Sequence, residues 1–112
     1  MKRDIRVFLQ DIVDSIEKLE QYTELVAEPE FYVDTEKQDA IIRRIEIIGE
    51  AVANLPMELR DKFPDVPWRD MVGMRNVMIH NYFGVTLAMV WRVASSDLPK
   101  LKERIIEVQK SL

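Results

Sequence analysis

The stretch DTEKQDAIIRRIEIIGEAVAN, residues 34–54, decides the fold class. Ile41, Ile45, Ile48, Val52 and Leu55 recur at three- and four-residue spacing, widened by Ile42 and Gly49, which is the pattern of a helix with one apolar face. Arg43, Arg44, Glu46 and Glu50 occupy the other faces, and Asp34 or Thr35 offers an N-cap before an acidic first turn. The spacing predicts a helix from residue 35 to 54. Gly49 lies inside it, where glycine costs about 1 kcal/mol relative to alanine; a close neighbouring helix would account for it.

The same periodicity extends outward in both directions. Upstream, Ile5, Phe8, Leu9, Ile12, Ile16, Leu19 and Val26 predict an amphipathic helix over residues 3–26, and Pro29 interrupts the pattern after it. Downstream, LPMELRDKFPDVPW holds three prolines around MELRDKF, a short helix of two turns. Pro67 then stands at the N1 position of a helix running to residue 83, with Gly84 as its C′ residue. Thr86 is the N-cap of a last helix with Val90, Val93, Ala94, Leu98, Leu101, Ile105 and Val108 as its stripe. Pro99 should kink or divide that helix near SSDLP, where Ser96 or Asp97 offers a cap for a new start. The expected fold is all-α: one domain over residues 1–112, an up-down four-helix bundle with a short extra helix and a kinked or split C-terminal helix.

Composition narrows function. The chain has no cysteine, so disulfides and thiolate metal sites are excluded. Charges at Asp4, Arg6, Asp11 and Asp14 break any signal-peptide core, and no window approaches the roughly 18 apolar residues of a membrane span. A cytoplasmic protein without a membrane partner is expected. Glu46 and Glu50 are four apart, but no Glu-x-x-His accompanies them, so a solvated or ion-paired role is expected rather than a metal site. No metal and no cofactor is expected. The net charge of −4 disfavours a surface that attracts nucleic acid everywhere, although between Val66 and Ser96 the residues Arg69, Arg75 and Arg92 stand against Asp70 alone.

That basic window contains MVGMRNVMIHNYFGV, residues 71–85, with the only histidine, His80. His80 falls in the last turn of its helix, where the dipole favours the imidazolium. Asn76 and His80 are four apart and share one face, Arg75 and Tyr82 are seven apart and share another, and Arg75 and His80 differ by about 140°. One straight helix assembles these groups poorly. Two copies meeting about a two-fold axis would complete each other's cleft, so a homodimer is expected. The residue types suit cleavage of RNA by its own 2′-hydroxyl, with His80 as base or acid, Arg75 as phosphate clamp, Asn76 in support, and no metal needed. Structural roles stand beside this reading. Arg75 can pair with a carboxylate from another helix, Asn76 can bond a neighbouring backbone, and Tyr82 can be a ring at the core edge.

The segment RNVMIHNY reads Arg-x4-His-x-Tyr with Asn directly after the arginine, and resembles the signature of the HEPN superfamily, specifically the HepT-like toxins encoded beside a minimal nucleotidyltransferase. RRIEIIGEAV at 43–52, WRDMVGMRNVMIHNYFGV at 68–85 and VWRVASSDLPKLKERI at 90–105 follow in that family's order, so the likeness covers nearly the whole chain. Thr86 departs from it, standing where many members carry an acidic residue. The resemblance implies a dimeric helical bundle and a metal-independent endoribonuclease with Arg75 and His80 as catalytic residues and Asn76 in support. It also implies a toxin–antitoxin pairing in which the cognate nucleotidyltransferase antitoxin transfers AMP to Tyr82. The alternative is a non-catalytic binding module that holds the nucleotidyltransferase or a nucleotide.

Overall fold

Asp4 opens the first helix by accepting from the Arg6 backbone N–H at 2.8 Å, and α1 runs Ile5–Leu25. In the computed structural model, which describes residues 4–79 and 86–112, there follow α2 (Glu28–Phe31), α3 (Thr35–Ala53), α4 (Met57–Lys62), α5 (Trp68–Ile79) and α6 (Leu87–Arg92). A π turn (Val93–Asp97), a 3-10 turn (Pro99–Leu101) and α7 (Lys102–Lys110) complete the order. Among the described residues every regular element is helical and none is a strand, which is the expected all-α class. The expected continuation of α5 through residue 83 and the C′ role of Gly84 lie outside them.

Two of the expected caps are present. Asp34 accepts from the Lys37 N–H at 3.1 Å and Thr86 from the Met89 N–H at 3.1 Å, each satisfying a backbone donor that the helix leaves unpaired. Pro67 lies one residue ahead of α5, and its carbonyl accepts from Met71.

The C-terminal run is divided at Pro99, but neither Ser96 nor Asp97 caps the new start: no side chain caps the 3-10 turn or α7. The break is made by the backbone. Proline lacks an N–H and its ring would strike the carbonyl four residues back; the preceding turn therefore widens, and the Leu98 N–H reaches Val93 O at 3.0 Å, an i→i+5 bond. Helix α2 is a further correction, a single turn at the proline that interrupts the pattern, and it lays Phe31 fully into the core.

Helix α3 packs against both α1 and α5, and α7 lies against α1. Leu9, Ile12, Ile16 and Leu19 from α1 meet Ile41, Ile45, Ile48 and Val52 from α3, all at most 1% exposed, and each such side chain stabilises by about 1.5–3 kcal/mol. Lys102 ties α7 to Glu20 of α1 at 2.7 Å. Glu46 pairs with Arg43 at 3.4 Å and Glu50 is exposed, as the solvated reading of those carboxylates expects.

The segment between α4 and α5 is held by two side chains, Trp68 and Arg104. Trp68 Nε1 donates to Phe63 O at 3.0 Å. Arg104 of α7 donates through Nε and Nη2 to the Asp65 carboxylate at 2.7 and 3.0 Å, and its guanidinium lies 5.3 Å from the Phe63 ring centre. The bonds from Arg104 hold the Asp65 carboxyl below its ordinary 3.8, so this tie is complete at neutral pH and is lost as pH falls through that lowered value.

Candidate active site

The buried side of α5 carries Met71 and Met78, seven residues apart, with Arg75 between them on the same stripe. Opposite stands Gly49 of α3. A Cβ at Gly49 would lie 2.3 Å from Arg75 Cβ, 2.9 Å from Met71 O and 3.3 Å from Arg75 Cα. The missing side chain is therefore where α5 comes closest to α3, as its cost in a helix interior suggested, and what it admits is the root of Arg75.

From that root the arginine runs outward and round the helix. Its Nε and Nη2 donate to Asn76 Oδ1 at 3.3 and 3.1 Å. Among the described residues no carboxylate pairs with Arg75, so its stem is fixed by helix packing, its head by an amide, and the positive charge is not neutralised by an anion. Asn76 is exposed and serves Arg75 rather than a neighbouring backbone. The structure thus joins Arg75 and Asn76; His80 and Tyr82 lie outside the described residues.

Asn76 also ends a groove of about 750 Å³ between α4 and α5, which sequence reasoning missed. Its walls include Met57 and Asp61 of α4, and Arg69, Asp70 and Gly73 of α5. Arg60 sets the α4 wall by donating to Val52 O at 2.8 Å and Leu55 O at 3.2 Å, where a cation complements the end of α3. Gly73 was the one available signal: it too sits inside a helix, but a Cβ there meets nothing within 4 Å.

Among the described residues no three His, Asp or Glu side chains gather as a metal site would require, and no helix is long and apolar enough to cross a membrane.

The family model described as Ribonuclease HepT-like matches residues 12–108. The chain is 46% identical over 112 residues to a Methanocaldococcus jannaschii protein named as a gamma-glutamylcyclotransferase and candidate RNase, and all of it aligns with only 50% of that protein, so it spans half that relative's length. It is 40% identical over 104 residues to a second protein of that organism, named as a candidate RNase, with 93% of this chain and 95% of the relative covered. With a Thermococcus cleftensis protein named as a candidate ribonuclease HepT it shares 39% identity over 110 residues, covering 98% and 100% of the two chains. No solved structure matches it. An all-α chain whose sequence fits one ribonuclease family model over residues 12–108, and which is 39% identical to a relative named for that activity and covers 100% of it, belongs to the HepT-like ribonuclease family.

Proposed function

We propose that the chain, a ribonuclease by family, cuts RNA without a metal at a cleft built from Arg75, Asn76 and His80 where two copies meet. The observation that supports this most is a positioned cation with no carboxylate partner among the described residues. Arg75 is rooted against Gly49 and oriented by Asn76 Oδ1, and its remaining N–H groups are available to a phosphate.

In the proposed reaction the substrate's 2′-oxygen attacks the adjacent phosphorus. Its proton passes to a base, the new O2′–P bond forms as the P–O5′ bond breaks, and the 5′-oxygen leaves with a proton from an acid. His80, four residues beyond Asn76 in sequence, serves as base or acid. Arg75 stabilises the charge that builds on the phosphorane oxygens. The products are a 2′,3′-cyclic phosphate and a 5′-hydroxyl.

The same reading makes the chain a cytoplasmic toxin restrained by a nucleotidyltransferase antitoxin. Transfer of AMP from ATP to the Tyr82 hydroxyl, with release of pyrophosphate, would place bulk and negative charge two residues from His80 and repel RNA phosphates. A single-stranded RNA should be cut by the purified chain in EDTA; a requirement for added divalent ions would overturn the metal-free reaction. After co-expression with the nucleotidyltransferase, mass spectrometry should find AMP on Tyr82. An inhibited protein with an unmodified Tyr82 peptide would contradict the switch.

A further inference from the structure

Two glycines interrupt the α3–α5 pair, and only one is used by the fold. Gly49 admits Arg75, whereas the position of a Cβ at Gly73 is open. Glycine weakens a helix interior relative to alanine, and it also lets a ligand lie against backbone.

Gly73 faces the groove between α4 and α5, and Asn76, bonded to Arg75, lies at the groove's edge. The volume of about 750 Å³ is that of a small-molecule site rather than of a macromolecular surface. Its charges oppose a phosphate. Arg60 is engaged with the carbonyls of α3, which leaves Asp61 and Asp70 against Arg69, all three exposed. Carboxylates accept from the exocyclic amino groups of bases, and Met57, 62% exposed, offers apolar surface to a ring.

We propose that this groove holds an unstacked RNA base beside the phosphate gripped by Arg75, with Asp70 reading an amino group and Gly73 letting the nucleotide rest on α5. Phosphate and base are thereby divided between two sites that meet at Asn76. Asp70 lies one turn before Gly73, and a carboxylate accepts hydrogen bonds and donates none. Cytosine, with an amino group where uracil has a carbonyl, is favoured over uracil. The inference rests on RNA being the substrate.

Two measurements separate its failure from that of the ribonuclease reading. In the first, the wild-type chain is titrated with CMP and with UMP, ligands of equal charge and nearly equal shape, while the Gly73 amide is followed by NMR. CMP should move that resonance at concentrations about tenfold lower than UMP. In the second, cut sites are mapped on an RNA of mixed sequence. Asp70→Asn should reduce the wild-type site preference about tenfold, and Gly73→Leu, whose side chain enters open space, should fold and lose the preference with slower cutting.

If CMP moves Gly73 but no RNA is cut, the base site stands and the ribonuclease reading falls. If RNA is cut, no mononucleotide moves Gly73, and both variants keep the wild-type pattern, the base site falls alone. If Gly73→Leu instead converts a dimer to a monomer, the groove belongs to a second copy, and the base site is overturned.

Discussion

Arg75→Ala should cut RNA about 10²–10³-fold more slowly than the wild type, the usual loss when a preorganised group that stabilises transition-state charge is removed. The predicted loss is in turnover, because the charge that Arg75 meets grows as the phosphorane forms. Arg75→Lys keeps the charge and most of the stem that packs over Gly49, but it replaces a planar fork with a point charge, so it should fall between alanine and wild type. His80→Ala should lose about 10²–10⁴-fold. Groups that act as a unit are not additive, so the double variant should be little worse than the poorer single one. The measurement is single-turnover cleavage with saturating protein, with circular dichroism to show intact helices. Arg75→Ala cutting within a few-fold of wild type would remove it from catalysis.

Gly49→Ala should destabilise the chain, although alanine is the better helix former by about 1 kcal/mol. The added methyl would meet Arg75 Cβ and the Met71 carbonyl, neither of which is the flexible end of a side chain, so α5 itself must move. Overpacking of this kind costs about 1–3 kcal/mol, and for a domain near this size each kcal/mol lowers Tm by about 4–8 °C. Cleavage should fall with it, because the displaced element carries Arg75 and Asn76. Gly73→Ala is the matched control: its methyl enters open space, and stability should rise by up to about 1 kcal/mol. Thermal unfolding of the two variants beside the wild type checks the opposite signs. A rise in Tm for both would show that the α3–α5 contact is looser than the Gly49 geometry requires.

What could be read ahead of the structure was the local part. The stripe of α3 and the caps at Asp34 and Thr86 depend on residues within one or two turns of each other, and they are found where the spacing puts them. Gly49 announced a close approach but not its object; that Arg75 is the residue admitted depends on how α3 and α5 are aligned, which no single helix records. At Pro99 the break was legible and its form was not, since the turn was relieved by an i→i+5 bond rather than by a polar cap. Arg60, within the short helix MELRDKF, seals the end of α3 and sets one wall of the groove, a role that depends on where α4 folds back and that local spacing does not record. Asp61 and Asp70 come to one groove through tertiary packing alone. For the proposed site, residue type pointed to the chemistry, and packing supplied the reason the arginine is held in place.

The most direct test of the central claim is the structure of the cut ends. An RNA oligonucleotide treated with the wild-type chain in EDTA should yield 2′,3′-cyclic phosphate and 5′-hydroxyl termini, and a single 2′-deoxy substitution at the mapped cut site should abolish cleavage there. Products bearing 5′-phosphates, or cutting that persists at the deoxy position, would mean that water rather than the 2′-hydroxyl attacks, and would contradict the account.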